Sequence, residues 1–191
     1  MKSLTYPFAE CQVRALAAGD AVALSGLVFT GRDRVHKFLA AGGTSPVSLR
    51  DGAIYHCGPV AIPDKGAWRV VAAGPTTSAR EDPYMPAIIE RLGVRVIVGK
   101  GGMGAETVAA CRRCGCVYLQ AVGGAAVRIA QCIRGVHGVH FLEEFGATEA
   151  MWELDVEGLD VVVAIDCRGR SLYEDVAAAS RRELDRLLQM P

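Results

Sequence analysis

Apolar residues along this chain fall into short β-branched runs closed by glycine or proline, and most runs lead into a segment with helical spacing. DAVALSGLVFTG (Asp20 to Gly31) reads as a strand. TGRDRVHKFLAAGG continues it as a helix, with Val35, Phe38 and Leu39 on one face and Gly42-Gly43 as the stop. GAIYHCGPV (Gly52 to Val60) is a short strand ended by Gly-Pro, and WRVVAAGPTTS a strand that runs into a loop. PYMPAIIERLG is a short helix ending at Gly93, and VRVIVGKGGMG a strand with a glycine-rich exit. AETVAACRRCG then reads as helix, CVYLQAVGG as strand, AAVRIAQCIRG as helix and LDVVVAIDCRG as strand. SLYEDVAAASRRELDRLLQ is a long C-terminal helix. Strand and helix alternate from Trp68 onward, which predicts an α/β layer with a largely parallel sheet. The first third is richer in strands and turns, and no internal repeat or low-complexity linker divides the chain. A single domain over residues 1–191 is the expectation.

Composition narrows the class. With 51% hydrophobic and 22% charged residues, the chain has the make-up of a folded protein, not a disordered one. Lys+Arg and Asp+Glu are both 21, so the basic excess of a general nucleic-acid binder is missing. No apolar run reaches the ~18 residues of a membrane span. The start, MKSLTYPFAECQVRAL, lacks the apolar segment of a signal peptide, so a cytoplasmic setting is expected. The seven cysteines are odd in number and irregular in spacing, which argues against a complete disulfide framework. Three of them form CRRCGC (Cys111, Cys114, Cys116). Such a run can hold zinc or an iron–sulfur cluster. It can equally straddle a helix end, a glycine turn and a strand start as small apolar fillers. No second Cys or Cys/His pair stands at metal spacing, and no metal ligand is assigned here.

The unusual residues gather where the predicted strands end, and in open α/β sheets ligands bind beyond the carboxyl ends of the strands. Strand Asp20–Phe29 exits into Thr30-Gly31-Arg32-Asp33. Strand Trp68–Ala73 exits into Gly74-Pro75-Thr76-Thr77-Ser78-Ala79-Arg80. Strand Val94–Val98 exits into Gly99-Lys100-Gly101-Gly102, and strand Val117–Ala121 into Val122-Gly123-Gly124. Arg32, Arg80 and Lys100 thus each sit beside glycine or hydroxyl residues. Glycine lets backbone N–H groups approach a ligand closely. Three cations converging on one pocket suit a ligand with two carboxylates, with arginine as a planar fork and lysine as a point charge. Each cation also has a plain structural reading: Arg32 pairing with Asp33, Arg80 with Glu81 or Asp82, Lys100 in solvent. His36, four residues after Arg32, shares a helix side with it and is either a support for that site or an ordinary histidine. GKGGMG matches neither phosphate-loop pattern.

The segments GLVFTGRDRVHK, GPTTSAREDPY, VIVGKGGM, VYLQAVGGAA and EAMWELDVEGLDVVVAIDCRGRSLY stand in this order and at these intervals. In this the chain resembles, from Leu16 to Tyr173, the β subunit or C-terminal domain of the class I iron–sulfur fumarases and L-tartrate dehydratases. The resemblance implies a swivelling β/β/α domain, with a largely parallel sheet, helices and an additional β layer. It implies a hydro-lyase that hydrates fumarate reversibly to L-malate, or else dehydrates L-tartrate, and is active only with an α subunit. The four-iron four-sulfur cluster would lie on that partner, in an α2β2 heterotetramer or other oligomer, and none on this chain. Arg32, Arg80 and Lys100 match carboxylate-binding positions for a C4 dicarboxylate. Thr76 matches the group that moves a proton, Thr77 is a neighbouring substrate contact, and Asp33 and His36 are supporting. Family members usually carry methionine after the loop arginine; here Glu81 puts a carboxylate beside the anion site. CRRCGC lies outside the family pattern. The class outside catalysis that fits the same residues is an anion- or metal-binding domain that kept the fold alone. All four of Arg32, Thr76, Arg80 and Lys100 are present, which favours the enzyme.

Overall fold

The computed structural model describes residues 1–189, and its elements follow the apolar runs closely. The strands are β1 (Lys2–Thr5), β2 (Ala21–Gly31), β3 (Ala53–His56), β4 (Val60–Asp64), β5 (Ala67–Ala72), β6 (Val96–Gly99), β7 (Val117–Gln120), β8 (Ile133–His140) and β9 (Met151–Ile165). The helices are α1 (Glu10–Arg14), α2 (Asp33–Ala40), α3 (Met85–Leu92), α4 (Ala105–Cys114), α5 (Ala126–Ala130), α6 (Leu142–Phe145) and α7 (Leu172–Leu188). Gly93 and Gly115 end α3 and α4 in the left-handed conformation, at φ 70° and 67°. The helix expected over AAVRIAQCIRG stops at Ala130, and Ile133 begins β8. Local spacing favours a helix there, but residues 133–140 pair along β9 instead.

The sheet is mixed, where the alternation of elements predicts a largely parallel one. Strands β1, β2, β3, β6 and β7 pair in parallel. Strand β9 runs antiparallel to β7, β2 and β8. Because β9 joins β7 back to β2, the five strands β2-β3-β6-β7-β9 close into a barrel-like sheet, with β1 and β8 as additional strands. The closure needs a strand of 15 residues, long enough to serve several partners. Its register breaks opposite Leu24 and Gly26. Gly26 has φ 101°, and a Cβ there would stand 2.6 Å from the Tyr6 Cβ, so only glycine fits the crossing. β4 and β5 form a separate antiparallel hairpin. Its turn, Lys65-Gly66, has positive φ at both positions, as a tight hairpin requires.

Both faces of the parallel strands are apolar, which is why their sequences run hydrophobic without alternation. Ala53, Tyr55, Val96, Val98, Val117 and Leu119 point into one core with Leu24, Trp152 and Leu154. Ile54, Ile97 and Tyr118 point into a second, under α2, α3 and α4, with Val35, Leu39, Ile88 and Ile89. Helix α7 buries none of its residues and leaves Val176, Leu184 and Leu187 exposed. No helix among the described residues is long and apolar enough to cross a membrane.

Candidate active site

Parallel pairing sends the ends of β2, β3, β6 and β7 to one edge, and with them Arg32, His56, Lys100 and Gln120. The GPTTSAR segment arrives by another route, because β5 lies outside the main sheet. The Tyr55 hydroxyl donates to Ala73 O (2.6 Å) and holds the exit of β5 against β3. Pro75 bridges Cys57, and Thr76 N–H donates to His56 O (2.6 Å). Thr77 then bridges Lys100, and Ser78 N–H donates to Lys100 O (2.8 Å). The loop is thus an extended wedge between the exits of β3 and β6. A single 3-10 turn, Ser78–Arg80, follows it. Thr76 is half-buried and Thr77 exposed, and among the described residues neither hydroxyl has a protein hydrogen-bond partner.

The cations differ in their surroundings. Arg32 is the N-cap residue of α2. Its Nη1 lies 3.5 Å from Glu149 Oε1, and its stem crosses Gly58, where a Cβ would come within 2.8 Å of Arg32 Cδ. Glu149 also accepts from Arg34 N–H (3.0 Å), placing a negative charge at the start of α2. Arg80 pairs with Asp33, so the residue next to Arg32 is tied to the loop arginine. Lys100 makes no ion pair among the described residues, and its stem passes Gly123, where a Cβ would stand 3.5 Å from Lys100 Cδ. The structure therefore joins Thr77 to Lys100, Asp33 to Arg80 and Thr76 to His56. It turns His36 away from the surface.

Beneath the wedge lies a polar layer that sequence reasoning missed. The Ser78 hydroxyl is buried, 2.9 Å from His56 Nδ1, and accepts from the Tyr118 hydroxyl at 3.0 Å. Gly99 makes room for it: a Cβ there would fall 1.9 Å from Ser78 Oγ. His36 Nδ1–H donates to Arg32 O (2.8 Å), which fixes its tautomer and makes it a support of the Arg32 backbone. The two histidine rings meet edge to face at 4.8 Å. Burial pushes the His36 imidazole down to about 4, and burial together with His36 pushes His56 well below the usual histidine range. Both rings are therefore neutral at pH 7. Histidine, serine and tyrosine inside predicted strands and loops carry no signal of a shared contact, because His56, Ser78 and Tyr118 lie on three elements far apart in the chain, β3, the wedge and β7.

CRRCGC behaves as a packing element. Cys111 and Cys116 are buried between α4 and β7, and Gly115 makes the turn between them. Burial holds the Cys116 thiol far above its ordinary range. All seven cysteines are free. Among the described residues no group of three or more His, Cys, Asp or Glu stands close enough to hold a metal ion.

The fumarase C-terminus family model matches residues 3–176, and the chain belongs to that family. Among its relatives is a Geobacillus stearothermophilus protein provisionally named class I fumarate hydratase, 48% identical over 183 residues. A Methanocaldococcus jannaschii protein provisionally named L(+)-tartrate dehydratase subunit beta is 38% identical over 181 residues. The L(+)-tartrate dehydratase subunit beta of Escherichia coli K12 is 32% identical over 176 residues. These alignments cover 95%, 92% and 91% of this chain. The chain spans 35% of the length of the Geobacillus protein, and 93% and 87% of the two β subunits.

Proposed function

We propose that this chain is the β subunit of a hydro-lyase acting on a four-carbon dicarboxylate, with the reversible hydration of fumarate to L-malate as its reaction. The observation that carries the reading is the GPTTSAR wedge, seated between the exits of β3 and β6, with the side chains of Thr76 and Lys100 unpaired among the described residues. In this reading Arg32, Arg80 and Lys100 bind the two carboxylates. The swivelling β/β/α architecture belongs to the same proposal. Adding water beside a carboxylate builds enolate-like charge in the transition state, and fixed cations at that carboxylate lower the barrier. Thr76 moves the proton next to it. Its alkoxide is stabilised by Lys100 and by backbone N–H groups of the loop. Thr77 is a contact on the exposed side, and Asp33 orients the Arg80 fork.

The four-iron four-sulfur cluster implied by the resemblance does not fit this chain's own donors, which form no ligand set among the described residues. A separate α subunit would carry it. Two relatives bear the name of a β subunit, which supports a partner. Their near-equal length also supports L-tartrate as the second substrate reading. The test is to purify the chain anaerobically alone and with its cluster-bearing partner, and to assay malate and tartrate dehydration. We expect turnover from the assembly and none from the chain alone, even after cluster reconstitution. Substantial turnover by the isolated chain overturns the assignment of the cluster to a partner. An assembled complex inert toward both substrates overturns the reaction.

A further inference from the structure

Glu81 follows Arg80 directly, yet the two side chains part. Arg80 is 51% exposed, and Glu81 is 0% exposed. Glu81 Oε2 lies 3.4 Å from His36 Nδ1, whose N–H already donates to Arg32 O at 2.8 Å. Among the described residues, neither oxygen of Glu81 has a hydrogen-bond partner. A carboxylate left in this state is costly, and the group avoids the cost by keeping its proton. The charges that face it agree. Asp33 and His36 approach from α2, Arg80 from its own turn, and Glu149 from the segment before β9. His36 is neutral, Asp33 and Glu149 oppose a new negative charge, and Arg80 alone favours one. Burial first, and Asp33 second, push the Glu81 carboxyl up to about 8.

We propose that Glu81 is a positioning residue that works as a neutral acid, leaving the Arg80 guanidinium free to take one substrate carboxylate. The inference rests on the reading of Arg80 given above. With Glu81 neutral, Arg80 meets the single negative charge of Asp33, and its half-exposed guanidinium keeps further N–H donors for a ligand. Ionised Glu81 adds a second negative charge whose field acts on the same guanidinium without touching it. That charge weakens the pull of Arg80 on the substrate carboxylate, so the loss falls on binding.

The test compares wild type with Glu81→Gln in the assembled enzyme, since glutamine keeps the shape and cannot ionise. For wild type, kcat/KM should fall about tenfold between pH 7 and pH 9, as a single deprotonation near pH 8 requires, with the change mainly in KM. In Glu81→Gln that pH-dependent loss should be absent. The same alkaline loss in both proteins overturns the proposal, and so does a wild-type profile that is flat up to pH 9. Equal loss by Glu81→Gln at every pH means a structural role only and also overturns it. Melting of the isolated chain is the second measurement: Glu81→Gln should gain on wild type as pH rises from 6 to 9. Identical melting profiles overturn the neutral acid itself. A wild-type assembly inert on fumarate, malate and tartrate sinks the function, and this role with it, while the melting comparison still decides the protonation of Glu81.

Discussion

At the scale of single residues, the group with the clearest test is Thr76. Its backbone N–H is given to His56 O, and its hydroxyl is free of protein partners among the described residues. Valine keeps the shape and the backbone bond and removes only the hydroxyl. If Thr76 moves a proton, Thr76→Val in the assembled enzyme lowers kcat by about 10²–10⁴ with little change in KM. A rise in KM at constant kcat makes it a binding group instead. Steady-state kinetics on malate separates the two. The cations and threonines of this edge were legible in the sequence because motif order marks them. The orientation of Glu81 was not. Adjacency to Arg80 put its charge at the anion site, whereas the 3-10 turn rotates it inward against His36. The same turn explains why Arg80 pairs with Asp33 of α2 and with neither of its own acidic neighbours. Asp82 instead accepts from Gly104 N–H (2.8 Å) and the Thr107 hydroxyl (2.7 Å) at the start of α4.

At the scale of elements, the wedge of residues 74–78 is held by what lies under it. Ser78 Oγ occupies the space that a side chain on Gly99 would need. Gly99→Ala should therefore cost about 2–4 kcal/mol, as overpacked or unsatisfied buried sites do. Adding Ser78→Ala should recover part of that, since the Cβ contact to Ser78 then relaxes from 1.9 Å to 3.3 Å. Urea denaturation of the three variants measures this, and a Gly99→Ala change within 0.5 kcal/mol of zero would mean the turn is not seated on β6. The strands of this edge were readable from apolar runs and glycine stops. The two short strands β1 and β4 and the longer β8 were not, because their pairing partners supply the order that their own residues lack.

At the scale of the whole molecule, buried ionisable groups set the response to pH. The unfolded chain takes up protons on histidine below about pH 6.5, and folded His36 refuses one until about 4. Stability contributed by neutral His36, and by His56, is thus present above that range and lost as pH falls through it. Glu81 acts in the opposite sense. The folded chain holds its proton up to about 8, the unfolded chain releases it above 4.5, and this contribution is lost as pH rises through that window. A stability maximum at about pH 6.5 is the expected outcome of the two. Thermal melts across pH 4.5–9 check it, and a curve that climbs steadily to pH 9 would leave Glu81 without the role assigned here.

Local information in the sequence was enough for the strand–helix order from Ala67 through α5 and for α7, for the stops at Gly93 and Gly115, and for the cations and hydroxyls at the strand exits. Those features depend on φ/ψ preference and hydrophobic period, which act within a few residues. Only the tertiary structure decided that β9 closes the sheet against β2, more than 120 positions away in chain order. It alone placed the β5 exit between β3 and β6, and it alone made Glu81 and two histidines neutral. Register across distant strands, desolvation and the charge of neighbours are properties of packing, and no short stretch of sequence contains them.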